Sequence, residues 1–129
     1  MKTLLAIVEQ GGYPDFTNLY ESLGYEVIKA SSMRKALSLL KQHQPDVITA
    51  EFIYSPMYSA RISNLESLLA TLQGKSFNPK LVVFVEPEVQ HHIDKLDIDR
   101  YEPVVISYPI TQDKLQEHLS NEIEENHNS

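Results

Sequence analysis

The sequence predicts a doubly wound α/β domain in which five parallel strands alternate with five helices that cover both faces of one sheet. Three observations predict it. Apolar runs such as residues 3–8 and Lys80–Val85 are continuous rather than alternating, the pattern of strands buried on both faces. Between the runs lie stretches with apolar residues at helical spacing, and a crossover helix must return right-handed onto a parallel sheet. The 129 residues, 42% hydrophobic and 22% charged, match one globular domain with a single core.

Each element has its own signal. Residues 3–8 form the first strand. Gly11-Gly12-Tyr13-Pro14 turns the chain, with Pro14 as the first helical residue and Phe16, Leu19, Tyr20 and Leu23 at i, i+3, i+4 and i+7 until Gly24 stops the helix. Tyr25–Ala30 is the second strand. Ser31 or Ser32 caps a second helix with the stripe Met33, Ala36, Leu37 and Leu40, which ends before Pro45. Residues 46–52 (DVITAEF) make the third strand, and residues 53–62 lapse into a loop containing Ser55-Pro56. Ser63 and Glu66 read as a capping box for a helix presenting Leu65, Leu68, Leu69 and Leu72, closed by Gly74. Lys80–Val85 is the fourth strand, residues 87–96 a short fourth helix, and residues 104–108 (VVISY) the fifth strand. Thr111 caps a last helix carrying Leu115, Leu119 and Ile123. A single domain over 1–123 with a flexible polar tail at 124–129 is expected, because the tail has nothing to bury.

Composition excludes several functions. No Cys is present, so disulfides, thiolate metal sites and cysteine nucleophiles are absent. The longest apolar runs fall far short of a bilayer span, and the N-terminus reads as a first strand rather than a leader, which implies a cytoplasmic location. No GxGxxG, GxxxxGK[ST] or GxSxG pattern occurs, so nucleotide-cradling loops and a nucleophile elbow are missing and no cofactor is expected. His91 and His92 are adjacent, hence about 100° apart on a helix, and read as surface residues together with His43, His118 and His127.

In open sheets of this class the functional crevice lies beyond the carboxyl ends of the strands, which selects Glu9, Gln10, Glu51, Glu86 and Tyr108. The segments LLAIVEQ, LGYEVIKASSMRKALSLLKQHQPDVITAEF, KLVVFVEP and VVISYPIT, spread over residues 3–120, make the chain resemble the receiver domain of two-component response regulators. Pro56 stands where receivers usually have a proline after the phosphorylated strand. The resemblance implies a flavodoxin-like sheet with strand order 2-1-3-4-5. It also implies a crevice holding an acidic pair after the first strand, a phospho-accepting Asp ending the third, Thr or Ser ending the fourth, and Lys before a proline after the fifth. Here these positions read Glu9-Gln10, Glu51, Glu86 and Tyr108-Pro109. All the reactive members have changed: a methylene is added to the nucleophile, the phosphate-binding cation is lost, and the switch hydroxyl is replaced by a negative charge. The resemblance further implies a cis peptide bond at Tyr108-Pro109, where the X-Pro penalty is only about 0.5–1 kcal/mol.

The reading is therefore a degenerate receiver that regulates by protein–protein interaction without phosphorylation. The alternative is a divalent-cation-binding protein or an enzyme using Glu9, Glu51 and Glu86, three carboxylates facing one another, with Glu9 and Glu51 as the metal candidates and Arg61 as the nearest neutralising cation. Against it stands the plainer reading that these glutamates face solvent or accept local backbone hydrogen bonds. Glu51 also reads as a charge mimic of the phosphorylated state, though a carboxylate carries one charge against nearly two. Tyr54, Tyr58, Tyr101 and Tyr108 read as a partner patch near the crevice or as core residues. The net charge of −7 resides in the second half, where residues 65–129 hold twelve acidic and five basic residues. That repels nucleic acid and favours a basic protein partner docking near Asp113 and Glu117, with the chain a monomer or a weak homodimer.

Overall fold

The computed structural model describes residues 1–55 and 63–119. Five strands, β1 (Lys2–Ile7), β2 (Tyr25–Ala30), β3 (Val47–Glu51), β4 (Lys80–Val85) and β5 (Val104–Ser107), form one parallel sheet in the order β2-β1-β3-β4-β5. The continuous apolar runs sit where both faces are covered: β3 is buried at every residue, and β4 at every residue after Lys80.

Strand alternation divides the apolar residues into two half-cores, one per face, rather than a single core. Leu5, Ile7, Ile48, Ala50, Leu81, Val83 and Val85 point toward α2 (Met33–Leu39) and α3 (Leu65–Gln73). Leu4, Ala6, Val47, Val82, Phe84 and Ile106 point toward α1 (Thr17–Ser22) and the C-terminal helix, residues 112–119. Leu65, Leu68, Leu69 and Leu72 bury the expected stripe of α3, each such leucine worth about 1.5–3 kcal/mol when fully buried.

Four local expectations are corrected. Pro14 does not open α1, which starts at Thr17, because the Asp15 carboxylate accepts from the Thr17 amide (2.9 Å) and hydroxyl (2.6 Å) and holds the preceding turn non-helical. The cap of α3 is Asn64 rather than Ser63, whose hydroxyl accepts from the Leu65 amide at 3.1 Å. The fourth helix is a 3-10 segment, Pro87–Lys95, in which only Ile93 is buried, so no stripe at i, i+4 spacing anchors an α-helix. The ends of β1, β3 and β5 lie one residue inside or beside the expected bounds. Of the two serines before α2, Ser32 is the cap and accepts from the Lys35 amide at 3.1 Å. Pro56, Tyr58, Arg61, Ile123, His127 and the tail at 124–129 lie outside the described residues. Among the described residues no helix is long and apolar enough to cross a membrane.

Candidate functional site

The carboxyl ends of β1 and β3 meet at Glu51, the last residue of β3 and only 2% exposed. One carboxylate oxygen accepts from the Glu9 amide at 3.0 Å and the Tyr13 hydroxyl at 2.7 Å; the other accepts from the amides of Gln10 at 2.8 Å and Gly11 at 3.2 Å. Gly11 and Gly12 have φ of 76° and 87°, a left-handed conformation that side chains disfavour. This curl lets successive amides converge on one anion, forming a backbone nest. The charge of Glu51 is thus met by four donors from a loop roughly forty residues earlier in the chain. Of the readings weighed for Glu51, the acceptor of backbone hydrogen bonds matches this geometry.

Aromatic packing fixes the donors. Tyr13 stands edge-on to Phe84 of β4 (4.9 Å between centroids, 78° between planes) and lies 6.1 Å from Tyr108. The Tyr108 hydroxyl donates to the Gly11 carbonyl at 3.2 Å, tying the exit of β5 to the same loop. Burial pushes the Tyr13 phenol far above its ordinary range, and its hydrogen bond to Glu51 and the charge of Glu51 add to the shift. Tyr108 is pushed up to about 12 by burial and by the charges of Glu51 and Glu86. Both therefore remain donors at neutral pH.

Asn64 closes the arrangement from α3. Its Nδ2 donates to the Glu9 carboxylate and, at 2.7 Å, to the Glu51 carbonyl, while its Oδ1 accepts from the Ile53 amide at 2.8 Å. Neither Asn64 nor Tyr13 was expected at the site. In the sequence Asn64 stands inside the capping box read at Ser63 and Glu66 and carries no signal of its own, and Tyr13 reads as a turn residue; a signal for Tyr13 exists only in its place two residues beyond the loop that Glu51 must satisfy.

The remaining candidates are spread around this cluster. Glu9 is half-buried, Gln10 and Glu86 are exposed, and Glu86 precedes the 3-10 segment without capping it. The expected mutual facing of Glu9, Glu51 and Glu86 is not found: both oxygens of Glu51 turn into the nest, and among the described residues no three Asp, Glu or His side chains are placed to hold a metal ion. The Tyr108-Pro109 peptide bond is cis, as the resemblance implies. Tyr54 lies away from Tyr108, stacked on the His92 ring at 3.9 Å, and Tyr101 is a core residue 1% exposed. His92 is accordingly half-buried rather than a plain surface histidine. Desolvation, then the neighbouring His91 and Lys95, lower its pKa.

Asp113 and Glu117 are exposed, one turn apart on the C-terminal helix. The three basic residues between positions 86 and 119 each make a polar contact. Lys114 donates to the carbonyls of Ser107 (3.2 Å) and Pro109 (2.8 Å), Lys95 contacts His92 Nδ1 at 3.0 Å, and Arg100 donates to Asn78 at 3.1 Å.

No family profile matches the chain, and no curated protein matches it. Solved receiver domains do match it in structure. A response regulator receiver domain protein from Clostridium thermocellum superposes with a TM-score of 0.71 at 17% identity, covering 98% of each chain. A response regulator receiver protein from Sinorhizobium medicae gives 0.71 at 16% identity, over 93% of this chain and 92% of that one. The Thermotoga maritima response regulator TrrA, solved in complex with Mg²⁺-BeF, gives 0.64 at 20% identity, over 94% and 98%. The chain has the receiver fold.

Proposed function

We propose that this receiver-fold chain is a signalling or regulatory module that acts through protein–protein contacts and takes no phosphoryl group. The observation that carries the reading is the state of Glu51. An acyl-phosphate nucleophile needs a carboxylate oxygen in line with the donor and a divalent cation among oxygen ligands. Glu51 instead spends both oxygens on four hydrogen-bond donors. A magnesium-loaded relative such as the Thermotoga protein needs negative oxygens around its ion, whereas three amides converging on one carboxylate favour an anion. Tyr108 in place of a lysine presents a neutral hydroxyl, already donated to Gly11.

The contact surface that fits is the acidic side of the second half. Residues 86–119 carry eight acidic and three basic side chains, and the three cations have the partners described above. A basic protein surface docking over Asp113 and Glu117 meets the complementary field, and two copies of this face repel each other. The test is incubation with acetyl phosphate and Mg²⁺ followed by intact-mass measurement. The mass stays unchanged; a stoichiometric gain of one phosphoryl group, at Glu51 or elsewhere in the crevice, overturns the reading.

A further inference from the structure

Beside the Glu51 cluster, between the sheet and residues 13–17, lies a cavity of about 280 Å³. Its origin is legible in the strand register. Lys29, Ala6 and Thr49 are paired across β2, β1 and β3, so one row of the sheet carries two small side chains where the row below it carries Val27, Leu4 and Val47. Above that row the chain is not yet helical: α1 starts at Thr17, whose amide and hydroxyl donate to the Asp15 carboxylate, and Asp15 pairs with Lys29 of β2 at 3.0 Å, so a non-helical segment rather than a packed helical turn bridges the row of small side chains. The space is built into the fold.

Its lining has a definite chemistry. Tyr13, Phe16 and Tyr20 supply three aromatic rings. The polar groups along the walls are already engaged: Tyr13 with Glu51, Tyr20 with Thr49, and Lys29 with Asp15. No charge is left free to favour an ionised ligand. The exposed lining residues Val8, Pro14, Asp15 and Lys29 mark the mouth. Val8 is 39% exposed and, apart from the terminal Met1, is the one exposed large hydrophobic among the described residues. An apolar cavity of about 150 Å³ accepts benzene, so this one accommodates two fused rings. Few satisfied polar groups in an apolar concavity are the usual make-up of a small-molecule site.

We propose that this cavity binds a small uncharged aromatic molecule of one or two rings, and that its occupation is transmitted to the Glu51 cluster through Tyr13, which is a wall of one and a donor to the other. The proposal goes beyond the function argued above and stands whether or not Glu51 accepts a phosphoryl group.

The experiment titrates the full chain, without phosphodonor, with indole and 2-naphthol, and with 2-naphthoate as the anionic counterpart, following backbone amide shifts. Saturable shifts are expected at residues 6–8, 13–17, 29 and 49, with a Kd on the order of 10⁻⁴ M for the neutral probes and weaker binding of 2-naphthoate. The amides of residues 9–11 move with them. Ala6→Leu fills the floor and weakens binding at least tenfold. Val8→Asp, at the exposed mouth and outside both half-cores, weakens it severalfold without touching the packing. Shifts that never saturate, 2-naphthoate binding as tightly as 2-naphthol, or unchanged affinity in both folded variants overturns the site. Saturation with residues 9–11 unmoved overturns the transmission through Tyr13.

Discussion

Replacing Glu51 by Gln keeps the shape of the side chain and removes its charge. The amide oxygen can still accept from two of the four donors, as the oxygen facing Gln10 and Gly11 does now. The amide NH₂ then faces the Glu9 amide and the Tyr13 hydroxyl. Tyr13 can rotate its proton and accept instead, but the Glu9 amide cannot, so one donor meets another donor. A hydrogen bond to a charged group contributes about 1.5–3 kcal/mol and a neutral one about 1 kcal/mol. Two bonds lose their charge assistance, one is reversed and one becomes a donor clash. The loop from Glu9 to Gly12 is partly exposed, so the displaced amide recovers some hydration by a small outward movement. Even at the low end of these figures the sum is a loss of about 3 kcal/mol, or about 11 °C in Tm for a domain of this size. Urea unfolding followed by far-UV circular dichroism measures it, and amide hydrogen exchange at residues 9–11 localises it, since those amides exchange faster if they lose their acceptor. A loss below about 1 kcal/mol, or unchanged exchange at those amides, would refute the idea that Glu51 organises the loop.

Asn64→Ala removes two donated bonds and one accepted bond that join α3 to the ends of β1 and β3; a loss of about 2 kcal/mol is expected in the same urea assay, and a change within about 0.5 kcal/mol would exclude the clamp. Alkaline pH destabilises the fold. Tyr108 is raised to about 12, and Tyr13 and Tyr20 are raised further, chiefly by burial. A phenol whose folded pKa exceeds its unfolded value contributes stability that is complete below pH 10 and lost as pH rises through the folded value. The urea midpoint therefore falls as pH rises from about 10 toward 12, while tyrosinate absorbance of the folded chain lags that of the unfolded chain; superimposable titrations would contradict this. Charge reversal at Asp113 and Glu117 slows association with an oligolysine probe at low salt and changes stability by less than about 0.5 kcal/mol, because both side chains are exposed. An unchanged on-rate, or a dimer in sedimentation that buries this face at low ionic strength, would sink that assignment.

Much of this protein was written in local pattern. The continuous apolar runs within residues 3–8 and 80–85 require two covered faces, and the stripe Leu65, Leu68, Leu69, Leu72 requires a helix on one of them. Both are short-range patterns set by backbone geometry: strand side chains alternate between the two faces, so a strand covered on both is apolar throughout, and helix side chains return to one face every 3.6 residues. With the strands placed, the crevice at their carboxyl ends followed, and so did Glu9, Gln10, Glu51, Glu86 and Tyr108 as its residues. The segment Pro87–Lys95 was less legible because a single buried residue, Ile93, leaves the helix type to its surroundings.

The direction in which Glu51 points was decided only in three dimensions. The same residue in the same strand could have faced Glu9 and Glu86 around an ion; it turns instead to donors 38 to 42 residues earlier in the chain, and Asn64 reaches Glu9 across 55 residues while Tyr108 reaches Gly11 across 97. The cavity below residues 13–17 has the same origin, since Ala6 and Thr49 are unremarkable until the β1–β3 register sets them side by side. Periodicity tells each residue which face of its own element it occupies. Which donor, ring or gap it meets there depends on sheet order and register, which are properties of the assembled chain.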